Sequence, residues 1–83
     1  MLIDGKLCPT KLQDSLRRYR DDHLATGDFL RAVLANDLHL AIARADYANL
    51  IMLPMIVAWV HENLPAESIG SNERVDRWLG FRE

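Results

Sequence analysis

A chain of 83 residues, 49% hydrophobic and 27% charged, has the composition of a globular protein and too little length to divide its apolar material between two cores. Its 10 basic and 12 acidic residues leave a net charge of −2, which argues against a protein that works by neutralising phosphates and equally against a strongly acidic nucleic-acid mimic. Cys8 is the one cysteine, so an intrachain disulfide is excluded and a reducing compartment, the cytoplasm, is expected.

The first ten residues, MLIDGKLCPT, lack a basic segment leading into an apolar run and so do not read as a secretory signal; residues 1–8 read as an extended arm. Cys8-Pro9-Thr10 opens a first helix with Pro9 in its first turn, where a missing N–H costs nothing. Leu12, Leu16 and Tyr19 form its apolar stripe, and Lys11, Gln13, Asp14, Arg17, Arg18 and Arg20 point elsewhere. The helix is expected to stop near Arg20, since the adjacent carboxylates of Asp21 and Asp22 oppose the dipole.

Thr26 is the expected N-cap of a second helix, with Gly27 and Asp28 in its first turn and Phe29, Leu30, Val33 and Leu34 on its buried face. Asn36 suits the left-handed ending of that helix, and Asp37 suits the cap of a third, Leu38 to Ala45. The third helix is expected to bury Leu38, Ala41, Ile42 and Ala45, with small residues at 41, 43 and 45 admitting a close neighbour.

The rest of the chain is organised around Tyr47 to Leu64, YANLIMLPMIVAWVHENL. Its uncharged run, Tyr47 to Val60, holds 14 residues and Pro54, short of the ~20 that a membrane span needs. Leu50, Leu53, Val57, Val60 and Leu64 form one stripe; Met52, Met55, Trp59 and, more loosely, Ile56 form another on the opposite side. Either other helices enclose both sides or one face is left for a partner, and both readings stand at this point. Asp46 caps this helix or the third helix runs on through it, and Pro54 predicts a kink or break near Met52 to Pro54. Leu64-Pro65 ends the element and Ala66 to Gly70 reads as a loop. Ser71 caps the last helix, which buries Val75, Trp78 and Leu79 before Gly80 stops it and Phe81 folds back on the core. The expected fold is all-α, a compact bundle of four to five short helices in one helical domain over residues 1–83.

Chemistry-bearing constellations are sparse. His23, His39 and His61 include no pair four apart, so neither a metal nor a cofactor is expected. Nothing in the sequence places a base beside Cys8, so no catalytic residue is assigned and the chain reads as a non-enzyme. The turn between the second and third helices has helix-turn-helix length, yet the would-be recognition helix, LHLAIARAD, reaches with only His39 and Arg44. Arg17, Arg18 and Arg20 suit phosphates, but Asp14, Asp21 and Asp22 surround them. Methionine adapts to irregular surfaces and tryptophan is enriched at the energetic centres of interfaces, so Met52, Met55 and Trp59 suit a partner, against the plainer reading of a helix buried all round.

At residues 27–46, GDFLRAVLANDLHLAIARAD, and 70–79, GSNERVDRWL, the chain resembles a widespread group of short phage and prophage reading frames. Their pattern is a Gly-x-Phe-Leu-x-Ala-Val-Leu-x-Asn-Asp-Leu block, an Ala-Asp helix start and a later Val-x-x-Trp-Leu. The resemblance spans about Pro9 to Leu79 and implies a compact helical fold of mobile-element origin, with no chemistry to carry over. This chain departs from the group in the apolar Leu50, Ile51, Met52 and Leu53 that precede Pro54. The expectation that follows is a phage or prophage accessory protein in the bacterial cytoplasm. It would bind a host protein stoichiometrically and inhibit or redirect it, with a defence complex such as a CRISPR effector among the targets. Met52, Met55, Trp59, Phe29, Arg17, Arg18 and Arg20 are the expected binding residues. The alternative is a small dimeric DNA-binding transcriptional regulator, its long helix pairing two copies; no membrane partner is expected.

Overall fold

The computed structural model describes residues 8–80, in which five α-helices and one 3-10 turn form an all-α bundle. The arm expected at residues 1–8, apart from Cys8 itself, and the fold-back of Phe81 lie outside the described residues. Helix α1 spans Thr10–Asp22, with Pro9 as its N-cap, one position before the expected first turn. Leu16 and Tyr19 are fully buried and Leu12 packs beside them. The helix runs two residues past Arg20 because His23 closes it in the left-handed region, at φ 56°, with its N–H bonded to the Arg18 carbonyl. The imidazole helps hold that conformation: Nδ1 donates to the Trp78 carbonyl at 2.8 Å.

Helix α2 spans Asp28–Leu34 and buries Phe29, Leu30, Ala32 and Leu34. Its N-cap is Gly27 rather than Thr26, whose hydroxyl turns away from the helix and donates to the Gly27 carbonyl at 3.2 Å. Asn36 takes the left-handed conformation at φ 62°, and the Asp37 carboxylate accepts from the Leu40 N–H at 3.1 Å to cap helix α3, Leu38–Arg44.

Helix α3 corrects the expected burial. It packs chiefly on α2 and buries Ala41 alone, while Leu38 is 60% and Ile42 45% exposed. Two turns of helix approaching through an alanine make a narrow contact, so the longer side chains on either flank remain in solvent.

Helix α4 spans Tyr47–Asn63 and starts anew at Asp46, whose carboxylate accepts from the Asn49 N–H at 2.8 Å. It is one helix with Pro54 inside it, so the break into two elements does not occur. Ile56 and Val60 are buried; Met52, Leu53, Met55, Val57 and Trp59 are half-buried; Tyr47, Leu50 and Ile51 are exposed. The stripe that faces the core therefore runs between the two read from the sequence. Among the described residues no helix is long and apolar enough to cross a membrane.

The expected loop after Pro65 contains the 3-10 turn Ala66–Ser68, which delivers a fully buried Ser68 to the core. Helix α5, Asn72–Leu79, is capped by Ser71, whose hydroxyl accepts from the Arg74 N–H at 3.1 Å. Val75 is buried, and Trp78 and Leu79 are half-buried. Two links join α2 to this end of the chain. Gly70 N–H donates to the Leu34 carbonyl at 2.8 Å, and Arg31 reaches Asp76 at 2.6 Å and Asn72 at 3.3 Å. Gly70 sits at φ 111°, a conformation that a side chain would strain.

Candidate binding surface of helices α1 and α4

Helix α1 presents Gln13, Arg17 and Arg20 along one flank, four and three residues apart, beside the last two turns of α4. The Arg17 guanidinium lies over the Trp59 ring, 5.6 Å from its centroid, and donates to Gln13 Oε1 at 3.0 Å and to Asp14 Oδ1 at 3.5 Å. Gln13 is itself held, donating through Nε2 to the Cys8 carbonyl at 2.6 Å. One turn further on, Arg20 pairs with Asp21 through two hydrogen bonds at 2.8 and 3.1 Å and reaches the Asn63 carbonyl at 3.4 Å. Asn63 Nδ2 donates back to the Trp59 carbonyl at 2.9 Å. The hydrogen bonds from Arg20 hold the Asp21 carboxyl below its ordinary value.

Met52, Met55 and Trp59 share a side of α4 at three- and four-residue spacing, all half-buried; Met52 and Trp59 pack against the core. Of the residues singled out in the sequence, Arg17, Arg20 and Trp59 are thus brought together, with Met52 and Met55 continuing along α4. Two residues are not part of this cluster. Phe29 lies in the core on α2, and Arg18 is exposed on the side of α1 opposite Leu16.

Cys8 is buried, and that burial pushes its thiol up, away from the reactive thiolate. Among the described residues no group of three or more His, Cys, Asp or Glu side chains is placed to hold a metal ion. On α3, Leu38, Leu40 and Ile42 are exposed beside Arg44, which lies 3.9 Å from Asp28.

Sequence reasoning missed a second surface. Between α4 and the α2–α3 pair lies a groove of about 290 Å³, with Leu38, Ala41, Leu53, Val57 and Val60 in its lining and Arg74 among its polar residues. Leu50, 43% exposed, lies next to Leu53 and Val57 round α4, and Tyr47 and Ile51, 78% and 55% exposed, continue onto the solvent-facing side of the helix. The signal was present in the spacing, because Tyr47, Ile51, Pro54, Ala58 and His61 recur every four and three residues and all five are exposed. Comparison of the chain with protein-family models, with curated proteins and with solved structures finds no match.

Proposed function

We propose that this protein acts by stoichiometric binding of another protein, through the surface that α1 and α4 form around Arg17 and Trp59. The supporting observation is the placement of Arg17 over a half-buried Trp59, with Gln13 accepting a hydrogen bond from the guanidinium. Arg and Trp are the residue types that most often dominate binding energy, and a cation already placed and hydrogen-bonded loses little freedom on docking. Met52 and Met55 extend the surface with side chains that adapt to an irregular partner. The phage and prophage resemblance makes the partner a bacterial host protein or complex, inhibited or redirected in the host cytoplasm, a defence complex such as a CRISPR effector being one such target. The protein needs no chemistry of its own for that role.

Immobilised protein exposed to a bacterial extract tests the reading. Arg17→Glu and Met55→Glu, each verified as folded by circular dichroism, are expected to reduce capture of a specific partner at least tenfold, the order of effect of removing an interface hot spot. Undiminished capture by both folded variants would end the proposal. The dimeric DNA-binding reading has less support, since the outward side chains of α3 are mainly apolar. Tight duplex binding that weakens steeply with salt would nevertheless replace the protein-binding reading with it.

A further inference from the structure

We infer that the solvent-facing side of α4 pairs with the same face of a second copy of this chain, two α4 helices crossing antiparallel about a twofold axis near Pro54. This surface is centred roughly a third of a turn round α4 from Trp59, with Met55 at its edge, so substitutions at Ile51 and Ala58 test it apart from the function proposed above. Tyr47, Ile51, Pro54, Ala58 and His61 form an exposed seam at four- and three-residue spacing, the repeat by which two helices interdigitate. No charged side chain falls between Asp46 and His61, so a partner meets the seam without burying an ion.

Area argues for a protein partner. Tyr47, Leu50 and Ile51 expose on the order of 350 Å², within the ~300–600 Å² of the largest patch on a typical monomer. That is nearly half of the ~800 Å² that each partner contributes to a standard interface, and the groove lined by Leu38, Leu53 and Val57 adds to it.

The profile of the seam argues for a second copy and for its direction. Its first half is bulky, with Tyr47, Leu50 and Ile51, and its second half is small, with Pro54 and Ala58. An antiparallel pair centred on Pro54 sets Leu50 against Ala58 of the second copy, bulk into space at both ends, whereas a parallel pair would leave the small halves facing one another. It also brings each Tyr47 to the other copy's His61, at the mouth of the apolar groove that Val57, Val60 and Leu38 line. Tyr47 is the most exposed large apolar side chain of the described residues, and its ring fits such a groove with the hydroxyl directed to the polar rim. Antiparallel helices also align their dipoles favourably.

Sedimentation equilibrium of the full chain, from micromolar to sub-millimolar concentration, tests this. The expected mass rises towards twice the 9.5 kDa of one chain. Ile51→Glu and Ala58→Arg, both at exposed positions, are expected to remain helical and to weaken association at least thirtyfold. Direction is read by disulfide formation. A mixture of Leu50→Cys and Ala58→Cys chains is expected to yield the mixed disulfide-linked pair in preference to either homodimer. A wild-type chain that stays monomeric throughout, or a dimer unaffected by both charged substitutions, would overturn the inference. So would preferential self-linking of the Leu50→Cys chain, or a dimer dissociated by Met55→Glu and not by Ile51→Glu. Unfolding of both charged variants would place these positions in the interior and overturn it equally.

Discussion

Tyr19 joins α1 to the 3-10 turn and to α5. Its hydroxyl donates to the Ser68 carbonyl at 2.6 Å, and its own carbonyl accepts from Trp78 Nε1 at 2.8 Å. With the ring fully buried, Tyr19→Phe would leave the Ser68 carbonyl without that donor, and the expected loss is about 1–3 kcal/mol by urea unfolding. Burial pushes the Tyr19 phenol up to about 12 from its usual 10, with Arg31 opposing the rise and Asp76 adding to it. A folded-state value above the unfolded one means that folding favours the neutral phenol. That contribution is complete below pH 10 and is lost as pH rises through about 12. Wild-type stability is therefore expected to fall more steeply across that window than that of Tyr19→Phe; parallel profiles would refute the assignment. The burial of Tyr19 was legible from its spacing to Leu16. Its hydrogen bond to Ser68, 49 residues away, was not, because no local rule links the two.

At the scale of the element, the caps at Asp37 and Ser71 were legible, while Asp46 was open between capping α4 and continuing α3. All three accept the backbone N–H three residues on, a bond that depends only on short side chains at helix starts. Ser71→Ala is accordingly expected to cost about 1 kcal/mol, whereas Thr26→Ala, whose hydroxyl caps nothing, should stay within ~0.5 kcal/mol in the same denaturation assay. Pro54 divides the two kinds of information. Its chemistry forecast a kink or a break, and the break does not occur, because the half-buried and buried side chains on both sides of it hold one helix against the core. Proline still lacks the N–H that would bond the Leu50 carbonyl. Pro54→Ala is therefore expected to raise the monomer's stability by about 1–3 kcal/mol, read as a higher melting temperature.

Across the whole molecule, a packed and a solvent-facing position of α4 predict different outcomes for the same added charge. Trp59→Glu removes a half-buried ring that packs on the core and on Arg17, and is expected to cost at least ~2 kcal/mol of thermal stability. Ile51→Glu lies in solvent in the single chain and should change its stability by less than ~0.5 kcal/mol, measured at a concentration where one copy predominates. Approximate helix positions, the caps at Asp37 and Ser71, the left-handed Asn36 and the all-α class were determined by the sequence alone, since each depends on interactions within a few residues along the chain. The core-facing side of α4 and the exposure of α3 were decided only by the tertiary structure. Apolar residues surround α4 on every side, so its own pattern leaves its rotation open; what turns Ile56 and Val60 inward is where the other helices can close around it. The same closure draws Arg17 and Trp59 together and leaves Tyr47 and Ile51 in water.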